Sequence, residues 1–220
     1  MQILRQFFSQ TKKPEGFLGA LMLRGMNSGH AELADWALSL MPGIAPQSAV
    51  DLGCGGGRNI AALQKKYPHA NVDGFDYSAL SVEKAIKYNA SAIAQNKCTI
   101  AVGDVSNLKP QKTYDLATAF ETIYFWPGLE KCFTNVFNML NNNAYFLIVC
   151  ESDGKDKTGK QFEKWIDGMK VHSPEEIENA LHTAGFEKVK INHHDRHPWI
   201  AVCAQRGLCY ERQTIQRLIH

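Results

Sequence analysis

The chain has 220 residues, 45% hydrophobic and 21% charged, with a formal net charge of +2. A soluble globular domain with a sizeable core follows from those values, and the near-neutral charge excludes a whole-chain electrostatic footprint for nucleic acid. No apolar run approaches the roughly 18 residues of a membrane span, and the start MQILRQFFSQTKKPEG lacks the apolar stretch and cleavage site of a secretory signal.

The predicted elements open with an apolar, glycine-interrupted stretch from about Gly16 to Met26. Ser28 then reads as an N-cap before Leu33, Trp36, Ala37 and Leu40, which share one helical face. Pro42, Gly43 and Pro46 end this prelude. From Ala49 the rhythm alternates. Strands are expected at 49–52, 71–76, 99–102, 114–120 and 144–151, with helices after the glycine turn, over Ala79–Ala94 and over Leu129–Leu140. The charged segment Lys155–His172, with Trp165, reads as a mobile lid or a solvated loop. Ser173-Pro174-Glu175-Glu176 is a capping box with proline at the first helical position, and Gly185 is the stop. Two last strands, around Val189–Ile191 and Trp199–Ala204, have too short a connection for a crossover and must be antiparallel neighbours.

Continuous apolar strands separated by helices predict an α/β, Rossmann-like, doubly wound and mainly parallel seven-stranded sheet whose last strand is antiparallel. One domain is expected over 1–220. It comprises an N-terminal helical cap to residue 45, a core over 46–206 and a tail over 207–220 whose apolar residues can pack on their own domain or on a second subunit, as in a homodimer. The six cysteines are scattered, without a C-x-x-C pair, and read as free thiols in a reducing cytoplasm.

The sharpest local signal is Asp51-Leu52-Gly53-Cys54-Gly55-Gly56-Gly57-Arg58-Asn59, between a strand and a helix. Glycines there let the backbone turn tightly and approach a ligand. Gly53 and Gly55 fit a dinucleotide fingerprint, but its third glycine falls on Arg58. Cys54 contributes its backbone more than its thiol. Asp76 ends the second strand, 19 residues after Gly57, where a carboxylate can take two ribose hydroxyls. It could instead cap the next helix, although Ser78 is the better cap. Asp104 and Val105 follow the third strand, as an adenine-binding pair or as a plain turn.

The set VDLGCGGGRN, FDYS, GDVSNL and YDLATAFETIYFWP resembles class I S-adenosylmethionine-dependent methyltransferases of the small-molecule type, over roughly Ala49–Glu151. The resemblance implies S-adenosyl-L-methionine as cofactor, S-adenosyl-L-homocysteine as product and a small-molecule methyl acceptor. It puts Gly53, Gly55 and the nearby backbone at the methionine end, Asp76 at the ribose, and Tyr77, Asp104 and Val105 around the adenine, with Asp51, Cys54 and Ser78 also among the cofactor-binding residues. Phe120 and Glu121 would lie beside the sulfonium. The sulfonium methyl is intrinsically electrophilic, so placement carries most of the catalysis and a base is optional.

Glu121 is the candidate base, or else a salt-bridge or loop residue. Tyr124 offers a hydroxyl to the substrate, whereas Phe125 and Trp126 read as packing beneath the next helix. His30 could face the substrate or be a satisfied core histidine. His193, His194 and His197 do not match a zinc motif and read as a surface turn, so no metal is expected. Three other functions compete. The absence of an N-P-P-Y-like segment and of a basic domain disfavours an RNA, DNA or protein methyltransferase. The missing third glycine disfavours an NAD-dependent oxidoreductase. A non-catalytic binder would keep the pocket without turnover.

Overall fold

The computed structural model describes residues 30–109 and 111–207. The apolar stretch expected at 16–26, the Ser28 cap and the tail from Leu208 lie outside the described residues. Helix α1 (Ala31–Ser39) leads to β1 (Ser48–Leu52), α2 (Arg58–Lys66), β2 (Asn71–Asp76), α3 (Ala79–Tyr88), α4 (Ala90–Ala94), β3 (Cys98–Val102) and β4 (Tyr114–Phe120). After a 3₁₀ turn at Ile123–Phe125 come α5 (Leu129–Asn138), β5 (Leu140–Cys150), α6 (Lys157–Trp165), α7 (Pro174–Ala184), β6 (Phe186–His193) and β7 (Ile200–Arg206).

The seven strands run in the order β3-β2-β1-β4-β5-β7-β6. β1 to β5 are parallel, and β7 lies antiparallel between β5 and β6. Alternate residues of each apolar strand feed opposite faces. Ala117, Ala119, Phe146 and Ile148 pack under α5 and α7, whereas Leu116, Phe120, Leu147 and Val149 pack under α1, α2 and α3. On the first face Phe133, Phe146 and Trp126 form an aromatic stack with centroids 5.6–6.4 Å apart, each buried ring contributing roughly 1.5–3 kcal/mol.

Three local outcomes differ from the sequence pattern. The helix expected over 79–94 breaks at Asn89, whose side-chain amide donates to the Gly57 and Ala85 carbonyls and so ties the break to the glycine loop. The segment expected as lid or loop contains α6, capped by Asp156, whose Oδ1 accepts the Gly159 N–H at 2.7 Å. His172 at its end is buried, 7% exposed, and burial lowers its pKa. The capping box forms as expected: Ser173 Oγ accepts the Glu176 N–H at 3.2 Å and Glu176 Oε2 accepts the Ser173 N–H at 2.9 Å. Among the described residues no helix is long and apolar enough to cross a membrane.

Candidate active site

The winding reverses between β1 and β4, and open α/β sheets bind ligands outside the carboxyl ends of the strands at such a point. A cleft of about 280 Å³ opens there. The Gly53 and Cys54 N–H groups both donate to the Phe75 carbonyl, at 2.7 and 3.0 Å, which folds the loop back onto β2. Gly53 has φ +78°, and a Cβ on it would overlap the Thr122 side chain. Gly55 differs. At φ +51° a Cβ on it would meet nothing within 4 Å, and the residue lines the cleft. Glycine there leaves a backbone cradle that a ligand can approach.

Asp76 closes one side of this cradle. Its Oδ2 accepts the Gly55 N–H and its Oδ1 the Ser78 N–H, both at 2.9 Å. The Ser81 side chain also hydrogen-bonds to this carboxylate. Burial raises the Asp76 pKa, opposed by those N–H groups. Asp104 is exposed at the rim and its Oδ1 accepts the Ser106 N–H at 2.8 Å. Tyr77, 38% exposed, and the buried Val105 also line the cleft. The donor set fits an adenosyl sulfonium: a carboxylate for a diol, a second for an amino group, and an open glycine backbone between them.

A polar cluster closes the opposite end. Glu121 follows β4 at φ +56°, a left-handed conformation that costs a non-glycine residue of order 1–3 kcal/mol. Its Oε1 accepts the Glu151 N–H at 2.5 Å and the Tyr124 hydroxyl at 3.2 Å. Burial and the Glu151 carboxylate push the Glu121 pKa up to about 8, against His30, the Glu151 N–H and the Tyr124 hydroxyl. His30 Nε2 lies 3.4 Å from Glu151 Oε2. Burial pulls the His30 pKa down, but Glu151 and Glu121 outweigh it and the net shift is upward. Among the described residues His30, Glu121 and Glu151 form the one trio whose potential metal-ligand atoms all lie within 4.8 Å of one another.

Of the residues singled out from sequence, His30, Gly53, Cys54, Gly55, Asp76, Tyr77, Asp104, Val105, Phe120 and Glu121 line the cleft. Asp51, Ser78 and Tyr124 do not. Asp51 is buried beneath the loop, accepting the Thr118 hydroxyl at 2.7 Å. Ser78 caps α3, accepting the Ser81 N–H. Tyr124 is buried and turns its hydroxyl to Glu121 rather than to the cleft. Phe125 and Trp126, expected as packing, also line the cleft. The Cys54 thiol is buried, and its pKa is pushed well up by that burial. His194 and His197 flank Trp199 in the β6–β7 turn, with ring centroids 4.8 and 4.3 Å from it. Sequence reasoning passed over Glu151. Its only signal was an acidic residue just past an apolar strand, the same signal that marked Glu121.

Asp51 carries a testable consequence. Burial pushes its pKa up to about 7, well above the ordinary carboxylate range, with Thr118 opposing and Asp76 adding. The folded state therefore favours protonated Asp51, and the stability it contributes is complete below about pH 4 and lost as pH rises toward 7. Asp51→Asn keeps an acceptor for Thr118 without a charge. It is expected to raise Tm at pH 8 on the order of 5 °C, and by clearly less at pH 5. Thermal melts at the two pH values check this, and equal shifts would refute it.

A methyltransferase-domain family model matches residues 22–191. Trans-aconitate 2-methyltransferase of Escherichia coli (strain K12 / DH10B) is 31% identical over 98 residues, 44% of this chain and 36% of that protein. The Enterobacter sp. (strain 638) enzyme of the same name is 28% identical over 99 residues, 45% of this chain and 37% of that protein. The chain thus spans little more than a third of the length of these relatives. Among solved structures, the methyltransferase in complex with the Haloferax volcanii Trm112 activator aligns with TM-score 0.74 at 18% identity, covering 85% of this chain and 94% of that one. Human N-acetylserotonin methyltransferase in complex with S-adenosylmethionine aligns with TM-score 0.71 at 14% identity, over 85% and 55%. At those identities the structures establish a shared fold. Together with the family match across most of the chain, they place this protein in the methyltransferase-domain family, among the class I S-adenosylmethionine-dependent methyltransferases.

Proposed function

We propose that the chain transfers a methyl group from S-adenosylmethionine to a small-molecule acceptor. The observation that carries this reading is one cleft with two chemically different ends. The Gly55 cradle with Asp76 and Asp104 forms one, and the Glu121 cluster forms the other. Asp76 would take the ribose diol, Asp104 and Val105 the adenine, and the loop around Gly53 and Gly55 the methionine end. Bound there, the cofactor supplies an electrophilic methyl on a positively charged sulfur.

The chain's own residues then hold, orient and exclude water. Arg58 pairs with Asp35 at 2.7 Å and so links α1 to the glycine loop. Leu33 and Ala34 of α1 form part of the cleft wall. Aligning acceptor and methyl can supply roughly 7–11 kcal/mol in favourable cases. Glu121, held in a strained backbone conformation with a raised pKa, is placed to accept the acceptor's proton, oriented by Tyr124 and the Glu151 N–H. Trans-aconitate, named for the relatives, suits this cleft poorly because it would set carboxylates against Glu121 and Glu151.

Calorimetry with S-adenosylhomocysteine on the intact chain tests the reading. We expect one site per chain with a Kd on the order of micromolar and no comparable affinity for NAD. Binding of NAD but not S-adenosylhomocysteine would overturn it.

A further inference from the structure

The cleft is acidic at its acceptor end. Among its described lining residues the permanent cation is Arg58, already paired with Asp35. Glu121 and Glu151 come from the ends of adjacent parallel strands, and His30 from the start of α1. Both donors to the Glu121 carboxylate land on Oε1, so Oε2 is the oxygen that can turn to a newcomer. The cleft lined by His30 and Glu121 is also lined by the apolar and aromatic side chains of Leu33, Phe125 and Trp126, and Glu151 touches His30 and Glu121 from outside that lining.

From this geometry we propose that the methyl acceptor is a primary or secondary amine on an apolar body, held by the Glu121 and Glu151 carboxylates and methylated at nitrogen. The proposal rests on the methyltransferase reading above. An ammonium group brings a positive charge and several N–H donors, which the two carboxylates can accept. Its apolar body would lie against the aromatic wall, where a cation adjacent to Trp126 gains further attraction. A divalent metal ion is the competing occupant of the trio. With three protein ligands it must complete its shell with water or substrate, and an apolar wall offers such waters few partners.

The step balances without a co-reactant. The ammonium gives one proton to the Glu121 carboxylate, which frees the nitrogen lone pair. Nitrogen then forms the C–N bond to the methyl carbon as the C–S bond breaks, its electron pair remaining on sulfur. The positive charge thereby moves from sulfur to the methylated ammonium, facing Glu151.

The test uses the intact chain saturated with S-adenosylhomocysteine, whose own binding is measured first. Failure at that stage sinks the methyltransferase reading rather than the choice of acceptor. Calorimetry then compares 2-phenylethylamine with the neutral 2-phenylethanol and the anionic phenylacetate. We expect the amine to bind at least about tenfold more tightly than either. In Glu151→Gln, and separately in Glu121→Gln, that preference should disappear while affinity for S-adenosylhomocysteine is retained. Equal affinities, preference for phenylacetate, or no binding of the amine at about 10 mM would overturn the proposal. So would stoichiometric Mn²⁺ binding, read by electron paramagnetic resonance, that is lost in Glu151→Gln and excludes the amine.

Discussion

Asp76→Ala is expected to bind S-adenosylhomocysteine on the order of 100-fold more weakly than the unaltered chain, because two charge-assisted hydrogen bonds to a ribose are lost together. The same carboxylate also holds the Gly55 and Ser78 N–H groups at 2.9 Å, so weaker binding alone could reflect a released loop. The two causes separate with a simpler pair of ligands. If Asp76 grips the diol, the unaltered chain binds adenosine more tightly than 2′-deoxyadenosine, and Asp76→Ala binds the two alike. If Asp76 only braces the loop, both affinities fall in parallel and the preference survives. Calorimetry with the two nucleosides reads the difference directly, and a surviving preference removes Asp76 from the ribose role.

The part of this site that could be read in the sequence is the part built from single strand ends. Asp76 was legible because an apolar strand stops at it and Ser78, two residues on, caps the next helix. The loop from Gly53 was legible because glycines with positive φ cluster where a strand turns into a helix. The trio at the other end was not, since His30, Glu121 and Glu151 meet only when β4 and β5 pair and α1 folds over them. Asp51 stands just before the glycine turn in sequence, and its buried carboxylate accepts the Thr118 hydroxyl. The break at Asn89 depends on a carbonyl 32 residues away, which no local propensity encodes. Helix α6 was obscured by its charge, because its stability comes from an Asp156 cap rather than from a long apolar stripe.

Glu121→Gln is expected to lower turnover on the order of 100-fold or more, while affinity for S-adenosylhomocysteine stays within about threefold. Glutamine keeps the size of the side chain and can still accept from Tyr124 and the Glu151 N–H, so the cluster has the means to survive the change. What it cannot do is take a proton. The pH profile carries the sign. Glu121 is pushed up to about 8, and a base works only when deprotonated, so below that value the rate should rise about tenfold per pH unit and level off above it. In Glu121→Gln the residual rate should lose that rise. Infrared difference spectra give a reading independent of turnover: a protonated-carboxyl band at pH 7 that titrates near 8 in the unaltered chain and is missing from the variant. Release of S-adenosylhomocysteine with 2-phenylethylamine as acceptor supplies the rate. Turnover equal to the unaltered chain across the pH range would remove Glu121 as the base and leave placement alone to account for the chemistry.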